Sequence, residues 1–102
     1  MAYAQKMSDW VRIIDSPVVQ VRWQTDPAST WGAGPSIAFK SEQDVKVRYV
    51  ATIETDSLGY PSSRVTEKVS DTIAVSKTDG AVVQLGARQG LVIKSVSGTV
   101  IR

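Results

Sequence analysis

The stretch Val45-Lys46-Val47-Arg48-Tyr49-Val50-Ala51-Thr52-Ile53-Glu54 alternates between apolar and polar side chains. All five odd positions are apolar, and four of the five even positions carry a charge or a hydroxyl group, with Val50 the exception. Successive side chains of a β-strand point to opposite faces of its sheet. The period of two therefore predicts a long, half-buried strand whose odd positions face the core.

Shorter segments of the same kind predict further strands on both sides of this stretch. Within Val18–Thr25, we expect Val19, Val21 and Trp23 to face inward. The residues expected to face outward are Gln20, Arg22 and Gln24. The segments predicted as the other strands are Trp10 to Ile14, Ser36 to Phe39, Thr72 to Lys77, Ala81 to Leu85, Leu91 to Val96 and Thr99 to Ile101.

The segment Arg64 to Ile73 fits either a strand or a helix. Val65, Val69 and Ile73 recur at every fourth position, which places them on one face of either element. Serine, threonine and valine are weak helix formers, and this favours the strand.

Turn signals separate the predicted strands. Asp15-Ser16-Pro17 follows the first strand, and Thr78-Asp79-Gly80 predicts a hairpin in which the glycine adopts a positive φ. Ser97-Gly98 interrupts the last predicted strand and is interpreted as a bulge or a tight turn.

About seven to nine short strands separated by turns predict an all-β protein, with a single antiparallel β-sandwich or small barrel as its architecture. The chain has 102 residues, of which 42% are hydrophobic and 22% charged, as is usual for a globular domain. We therefore expect residues 1–102 to form one all-β domain.

The chain contains neither cysteine nor histidine. This composition excludes thiol nucleophiles, thiolate metal ligands and imidazole acid–base chemistry. The two adjacent Lys–Ser pairs, Lys40-Ser41 and Lys94-Ser95, are expected to point to opposite faces of a strand, where they cannot act together. The prediction is a protein that is not an enzyme and has no cofactor.

Two pairs of carboxylates share a strand face, Glu42 with Asp44 and Glu54 with Asp56. Paired carboxylates can hydrolyse glycosides. Glu42 and Asp44 fall at a predicted turn, however, and so does Asp56, just after Glu54 ends the long strand, and acidic residues at turns are commonly solvated. A calcium site built from Glu54, Asp56 and Asp79 lacks a recognised loop spacing, so no metal site is predicted.

The aromatic residues divide into two groups. Trp10, Trp23, Phe39 and Tyr49 occupy apolar positions of predicted strands and are expected in the core. By contrast, Trp31 and Tyr60 lie in loops rich in glycine, proline and serine. An aromatic side chain in such a loop either covers the end of the core or stays exposed for a partner. Because aromatic side chains are frequent interface anchors, we predict that Trp31 and Tyr60 bind a partner.

The formal net charge is only +2, from 12 basic and 10 acidic residues. Lys46, Arg48 and Arg22 are expected to form a mild, outward-facing basic stripe, so Arg22 and Arg48 are also predicted partner-binding residues. Strand alternation turns Arg22 away from Trp23 and Arg48 away from Tyr49. Nucleic-acid binding needs cations and aromatic rings on one face, so no specific nucleic-acid partner is predicted.

No segment resembles a signal peptide, and no run approaches the roughly 20 apolar residues of a membrane-spanning helix. We therefore expect neither export by a classical signal nor a membrane partner.

These features predict a non-catalytic structural or assembly protein that acts through protein–protein contacts with other copies of itself and with a larger assembly. Within that class, the hypothesis is a small virion component of a bacteriophage, either a capsid decoration protein or a tail subunit, assembled in the host cytoplasm. The alternative is a carbohydrate-binding β-module that stacks sugars on Trp31 and Tyr60.

Overall fold

A computed structural model describes residues 7–24, 35–57, 60–86 and 91–101, with the side chains of 56–64 left outside the description. These residues form an all-β fold of seven strands in two antiparallel sheets, as the sequence predicted. The strands are β1 (Val11–Asp15), β2 (Val18–Trp23), β3 (Ser36–Ser41), β4 (Val45–Ser57), β5 (Tyr60–Val75), β6 (Ala81–Gln84) and β7 (Val92–Ile101).

Sheet 1 has the strand order β1-β2-β3-β6, and sheet 2 has the order β5-β4-β7. Strand β1 contacts β7 across the interior, while β3 and β6 contact β5. The two sheets therefore stack face to face as a small sandwich with a shared core.

The long alternating stretch forms β4, the central strand of sheet 2. Val47, Tyr49, Ala51 and Ile53 are at most 2% exposed, whereas the even-numbered residues from Lys46 to Glu54 face outward. The alternation thus predicted the buried face of β4. Sheet 1 and the other strands of sheet 2 complete the core with Val19, Val21, Ile37, Phe39, Val75, Leu91, Ile93 and Val96.

The ambiguous segment Arg64 to Ile73 is a strand, within the sixteen-residue β5. Strand β5 pairs with β4 from Val45↔Val75 to Ser57↔Tyr60, so the two form a long hairpin. The strand interpretation is confirmed.

The turn at Thr78-Asp79-Gly80 is present, but it does not join two paired strands. Ser76 and Gly80 exchange backbone hydrogen bonds of 2.8 and 3.3 Å, and Gly80 has the predicted positive φ of 66°. Strand β5 belongs to sheet 2, whereas β6 pairs with β3 in sheet 1. The predicted hairpin is therefore wrong, because the turn carries the chain from one sheet to the other.

The Ser97-Gly98 prediction is also wrong, since β7 runs without interruption through both residues. Gly98 pairs with Tyr49 on β4. A Cβ atom at Gly98 would lie 3.0 Å from Ile13 Cδ1, so glycine there permits a close approach of β1 to sheet 2. The bulge in β7 is instead at Lys94, between the pairs Ser95↔Thr52 and Ile93↔Ile53.

Among the four predicted core aromatics, Phe39 and Tyr49 are 2% exposed, with ring centroids 5.5 Å apart, and Trp23 packs partly buried against the core. Trp10 lies outside this core. Gln24, predicted to face outward, is only 9% exposed, because residues 7 and 24 form an isolated bridge at the end of β2.

Burial raises the pKa of the Tyr49 hydroxyl above its ordinary value of 10.0. The negative charge of Asp71, the residue of β5 that pairs with Tyr49, raises this pKa further. The unfolded chain therefore releases this proton at a lower pH than the folded chain does. The protonated Tyr49 hydroxyl therefore contributes to the free energy of unfolding. The contribution is fully present below about pH 10 and is lost as the pH rises through the pKa of Tyr49 in the folded state.

Urea unfolding at neutral and strongly alkaline pH tests this pH dependence. Tyr49→Phe should lose less stability than the wild type on going to alkaline pH, because phenylalanine has no proton to release. An equal loss in both proteins would contradict the raised pKa.

Candidate functional site

Sheet edges expose unpaired backbone hydrogen-bonding groups, and natural proteins protect them with charges, bulges, proline or short length. Three of the four edges here carry such protection. Strand β1 has five residues, a bulge and the exposed charges Arg12 and Asp15, and β6 has only four residues. Strand β5 contains Pro61, and its exposed Glu67 and Asp71 are charged residues on the inner face, where they pair with Ile53 and Tyr49 of β4.

The remaining edge, along β7, lacks this protection over most of its length. The segment Ser95–Ile101, called the β7 edge below, contains seven uncharged residues and is about 23 Å long at ~3.3 Å per residue. Among the described strands, β7 hydrogen-bonds only to β4. The outward-facing Ser95, Ser97, Thr99 and Ile101 are exposed. This edge can accept a further strand.

A second surface lies on the outer face of sheet 1, where the structure places Trp10. The guanidinium carbon of Arg22 is 4.8 Å from the Trp10 ring centroid, and the Lys40 ammonium is 4.2 Å from it. Val11 pairs with Val21 on the inner face, so the preceding residue, Trp10, falls on the same outer face as Arg22. The prediction of Trp10 as a core residue is therefore wrong.

Strand alternation separates Arg22 from the ring next to it in sequence but not from every aromatic ring. Arg22 does point away from its sequence neighbour Trp23, which packs against the core. Strand pairing nevertheless brings Arg22 to a different ring, that of Trp10, from the adjacent strand. Sequence spacing within one strand could not reveal this contact.

Trp10 and Lys40 line an open cavity of about 620 Å³, called the outer groove below. Ala38 and Val82, which pair with each other across β3 and β6, also line the groove, and Val82 is 68% exposed. The other lining residues are Val18, Gln20, Phe39, Ser41, Glu42, Lys77, Thr78, Asp79, Gly80 and Ala81.

Two cationic side chains near Trp10, those of Arg22 and Lys40, lack polar partners that their charges could use within the ranges that the structure describes. Arg22 Nε is buried and has no hydrogen-bond partner among the described residues. Neither Arg22 nor Lys40 forms an ion pair with a carboxylate in the described part of the chain. Two cations therefore share one indole ring without a described counter-charge.

The predicted basic stripe is not continuous. Lys46 and Arg48 are exposed on the outer face of sheet 2, whereas Arg22 lies on the outer face of sheet 1. The whole sandwich separates Arg22 from Arg48, so these residues do not form one patch. Sequence alternation indicated that each points outward but not to which sheet each belongs.

The two aromatic residues predicted to lie in loops cannot be placed in the site. For Tyr60 the loop prediction is wrong, because its backbone begins strand β5 and pairs with β4. Trp31 and the side chain of Tyr60 lie outside the described residues. Their partner-binding role, and the carbohydrate-binding alternative that depends on it, remain predictions.

The carboxylates of the β3–β4 connection have structural partners. Glu42 Oε1 accepts a hydrogen bond of 2.8 Å from the Val18 backbone N–H, and Asp44 Oδ1 accepts one of 2.7 Å from Lys77 N–H. These two carboxylates tie the connection to β2 and to the β5–β6 turn.

Glu54 lies within β4, as predicted, and so does Asp56, contrary to the prediction of a turn at Asp56-Ser57. Val45 marks the end of β4 that lies near the turn containing Asp79. Glu54 is nine residues further along β4, so about 30 Å separates Glu54 from Asp79 at ~3.3 Å per residue. The calcium site considered above cannot form at that distance. Among the described residues, no three Asp or Glu side chains are grouped so as to hold a metal ion.

Lys94 and Ser95 do not point to opposite faces, because the bulge at Lys94 breaks the alternation. Both residues are exposed, and Lys94 Nζ lies 3.8 Å from Glu54 Oε1 on the outer face of sheet 2. The Lys94 ammonium is thus paired with a carboxylate rather than directed at a hydroxyl group.

Within the described ranges there is no helix of sufficient length and apolar character to cross a membrane. Comparison with known proteins gives no match: no family model fits the chain, and no curated protein or solved structure is significantly similar to it.

Proposed function

We propose that this protein is a non-catalytic assembly component that joins other copies of itself, and through them a larger protein assembly. The observation that carries the proposal is the β7 edge, a long run of uncharged residues with backbone hydrogen-bonding groups open on one side among the described strands. Such an edge is a template for pairing with another strand.

A second β7 edge is the partner that best fits the first. In a two-fold symmetric antiparallel pair, each strand meets its own sequence in reverse, so like charges would face one another. The β7 edge has no charged residue to oppose this pairing. Pairing would join the two three-stranded sheets into one continuous sheet of six strands.

The same proposal extends to a place of action, the virion of a bacteriophage, as a capsid decoration protein or a tail subunit assembled in the host cytoplasm. The support is the composition of the chain and its compact β-sandwich, which resembles a scaffold rather than a reaction centre.

The test is the mass in solution, measured by light scattering over a range of protein concentrations. One chain has a mass of 11.0 kDa, and we expect the wild type to have at least twice this mass in solution. The double variant Ser97→Lys with Thr99→Lys should be a monomer, because two lysines on each β7 edge would place like charges across the pair.

Sheet 2 offers a matched control on its other edge. Val50 pairs with Ser97 on one side and with Ser70 on the other, and Arg48 pairs likewise with Thr99 and Thr72. Ser70→Lys with Thr72→Lys makes the same chemical change on β5 and should leave the oligomer intact. A wild type that stays monomeric at millimolar concentration would refute the proposal, as would equal dissociation of both double variants.

A further inference from the structure

From the outer groove, we infer a second binding site, which takes an acidic, extended segment of a protein partner. The site lies on sheet 1 and is separate from the β7 edge, so its failure and the failure of self-assembly can be told apart. Its recognition elements are Lys40, Ala38 and Val82, which line the groove. Arg22 does not line the groove but adds a second positive charge next to Trp10.

The cationic end of the groove calls for an anion. Arg22 and Lys40 both lie within 5 Å of the Trp10 ring centroid and have no described carboxylate partner. Arg22 Nε is buried without a hydrogen-bond acceptor among the described groups. An incoming carboxylate would accept a charge-assisted hydrogen bond from the exposed Lys40 ammonium and would also be attracted by the nearby Arg22 charge.

The apolar side of the groove favours a polypeptide. Arg22 pairs with Ala38, and Ala38 pairs with Val82, so these residues form one row across three strands on the outer face. An extended segment lying along this row would place acidic side chains near Trp10 and an apolar side chain on Val82. Val82, at 68% exposed, is the most exposed large hydrophobic residue described.

Two other ligand classes fit this groove less well. Single-stranded nucleic acid and sugars both stack on a free aromatic face, but cations already lie over the Trp10 ring. Glu42 and Asp79 also line the groove and would repel a continuous phosphate backbone. A short acidic segment meets the same two carboxylates, but its own carboxylates can be confined to the surroundings of Lys40 and Arg22, whereas a phosphate backbone carries charge along its whole length.

An NMR titration of the isotope-labelled protein tests this site with the peptide acetyl-ESESL-amide. Its two glutamates and its leucine alternate with serines, so all three share one face of an extended chain. We expect shifts of the Trp10 indole N–H and of the β3 amides, and weaker binding as added salt screens the charges. The peptide acetyl-KSKSL-amide is the matched probe of opposite charge.

Lys40→Glu should weaken binding of the acidic peptide by roughly tenfold or more, as expected for the loss of a charge-assisted contact. Lys46→Glu makes the same charge change on the outer face of sheet 2 and should leave the affinity within about twofold, because that face is remote from the groove. The double lysine variant of the β7 edge should bind the peptide as the wild type does.

Several results would overturn the inference. They are absence of any shift at millimolar peptide, equal binding of the basic peptide, and equal weakening by Lys40→Glu and Lys46→Glu. Tighter binding of an oligothymidylate would indicate a nucleic-acid site instead, and equally tight binding of inorganic phosphate would show a simple anion site without recognition of a polypeptide.

Discussion

Replacement of Ile53 by aspartate is expected to unfold the domain. Ile53 is 1% exposed and lies on the inner face of the central strand β4. It pairs with Ile93 on β7 and with Glu67 on β5. The substitution would therefore leave a carboxylate in the core, with another carboxylate as its cross-strand neighbour.

The size of this effect follows from the cost of desolvating a charge. An unpaired carboxylate in a protein interior costs several kcal/mol, and the loss of the isoleucine contacts adds about 2–4 kcal/mol. Domains of this size are typically stable by only about 5–15 kcal/mol, so the variant should be largely unfolded at neutral pH. Circular dichroism and urea titration would measure the loss directly.

Lys46→Asp supplies the control on the same strand. Lys46 is exposed on the outer face of β4, where a charged side chain stays in water. The free energy of unfolding should change by less than about 1 kcal/mol. If both substitutions destabilise the domain equally, the assignment of the two faces of β4 is incorrect.

The second large effect is expected at Gly80, in the turn that connects the two sheets. Gly80 has a φ of 66°, and a Cβ atom there would lie only 2.3 Å from the backbone oxygen of Phe39. The turn is also held by hydrogen bonds from the Thr78 and Asp79 N–H groups to the Ser76 hydroxyl. Neither the turn nor the β3 backbone can move without breaking existing hydrogen bonds.

Gly80→Ala should therefore lower the free energy of unfolding by about 3 kcal/mol, through left-handed backbone strain combined with the steric conflict. Gly86→Ala is the matched control, because a Cβ atom at Gly86 meets no atom of the described residues within 4 Å. That change should stay within about 0.5 kcal/mol. Equal thermal shifts for both alanine variants would show that the turn tolerates a side chain.

The contrast between β4 and the β5–β6 turn shows where sequence reasoning succeeds. Alternation along β4 depends only on the local geometry of an extended chain, so its buried face was predicted correctly. The positive φ at Gly80 is likewise a local property. The pairing of β6 with β3 rather than with β5 is not local, and the predicted hairpin failed for that reason.

The candidate sites show the same division. The sequence indicated that Arg22 and Arg48 point outward, but their separation onto opposite faces of the sandwich depends on which strands share a sheet. Trp10 was expected in the core because aromatic residues are usually buried there. Its contacts with Arg22 and Lys40 come from neighbouring strands and have no signature in the spacing of residues.

From the sequence alone came the all-β class, the inward residues of β2 and β4, and the lack of thiol and imidazole groups in the chain. These depend only on composition and on the geometry of single extended segments. The tertiary structure alone decided the order of strands within each sheet. That order leaves the uncharged β7 at an edge and brings two cations onto the Trp10 ring. The physical reason is that strand pairing depends on contacts between residues far apart in the chain, and local patterns do not specify which partners meet.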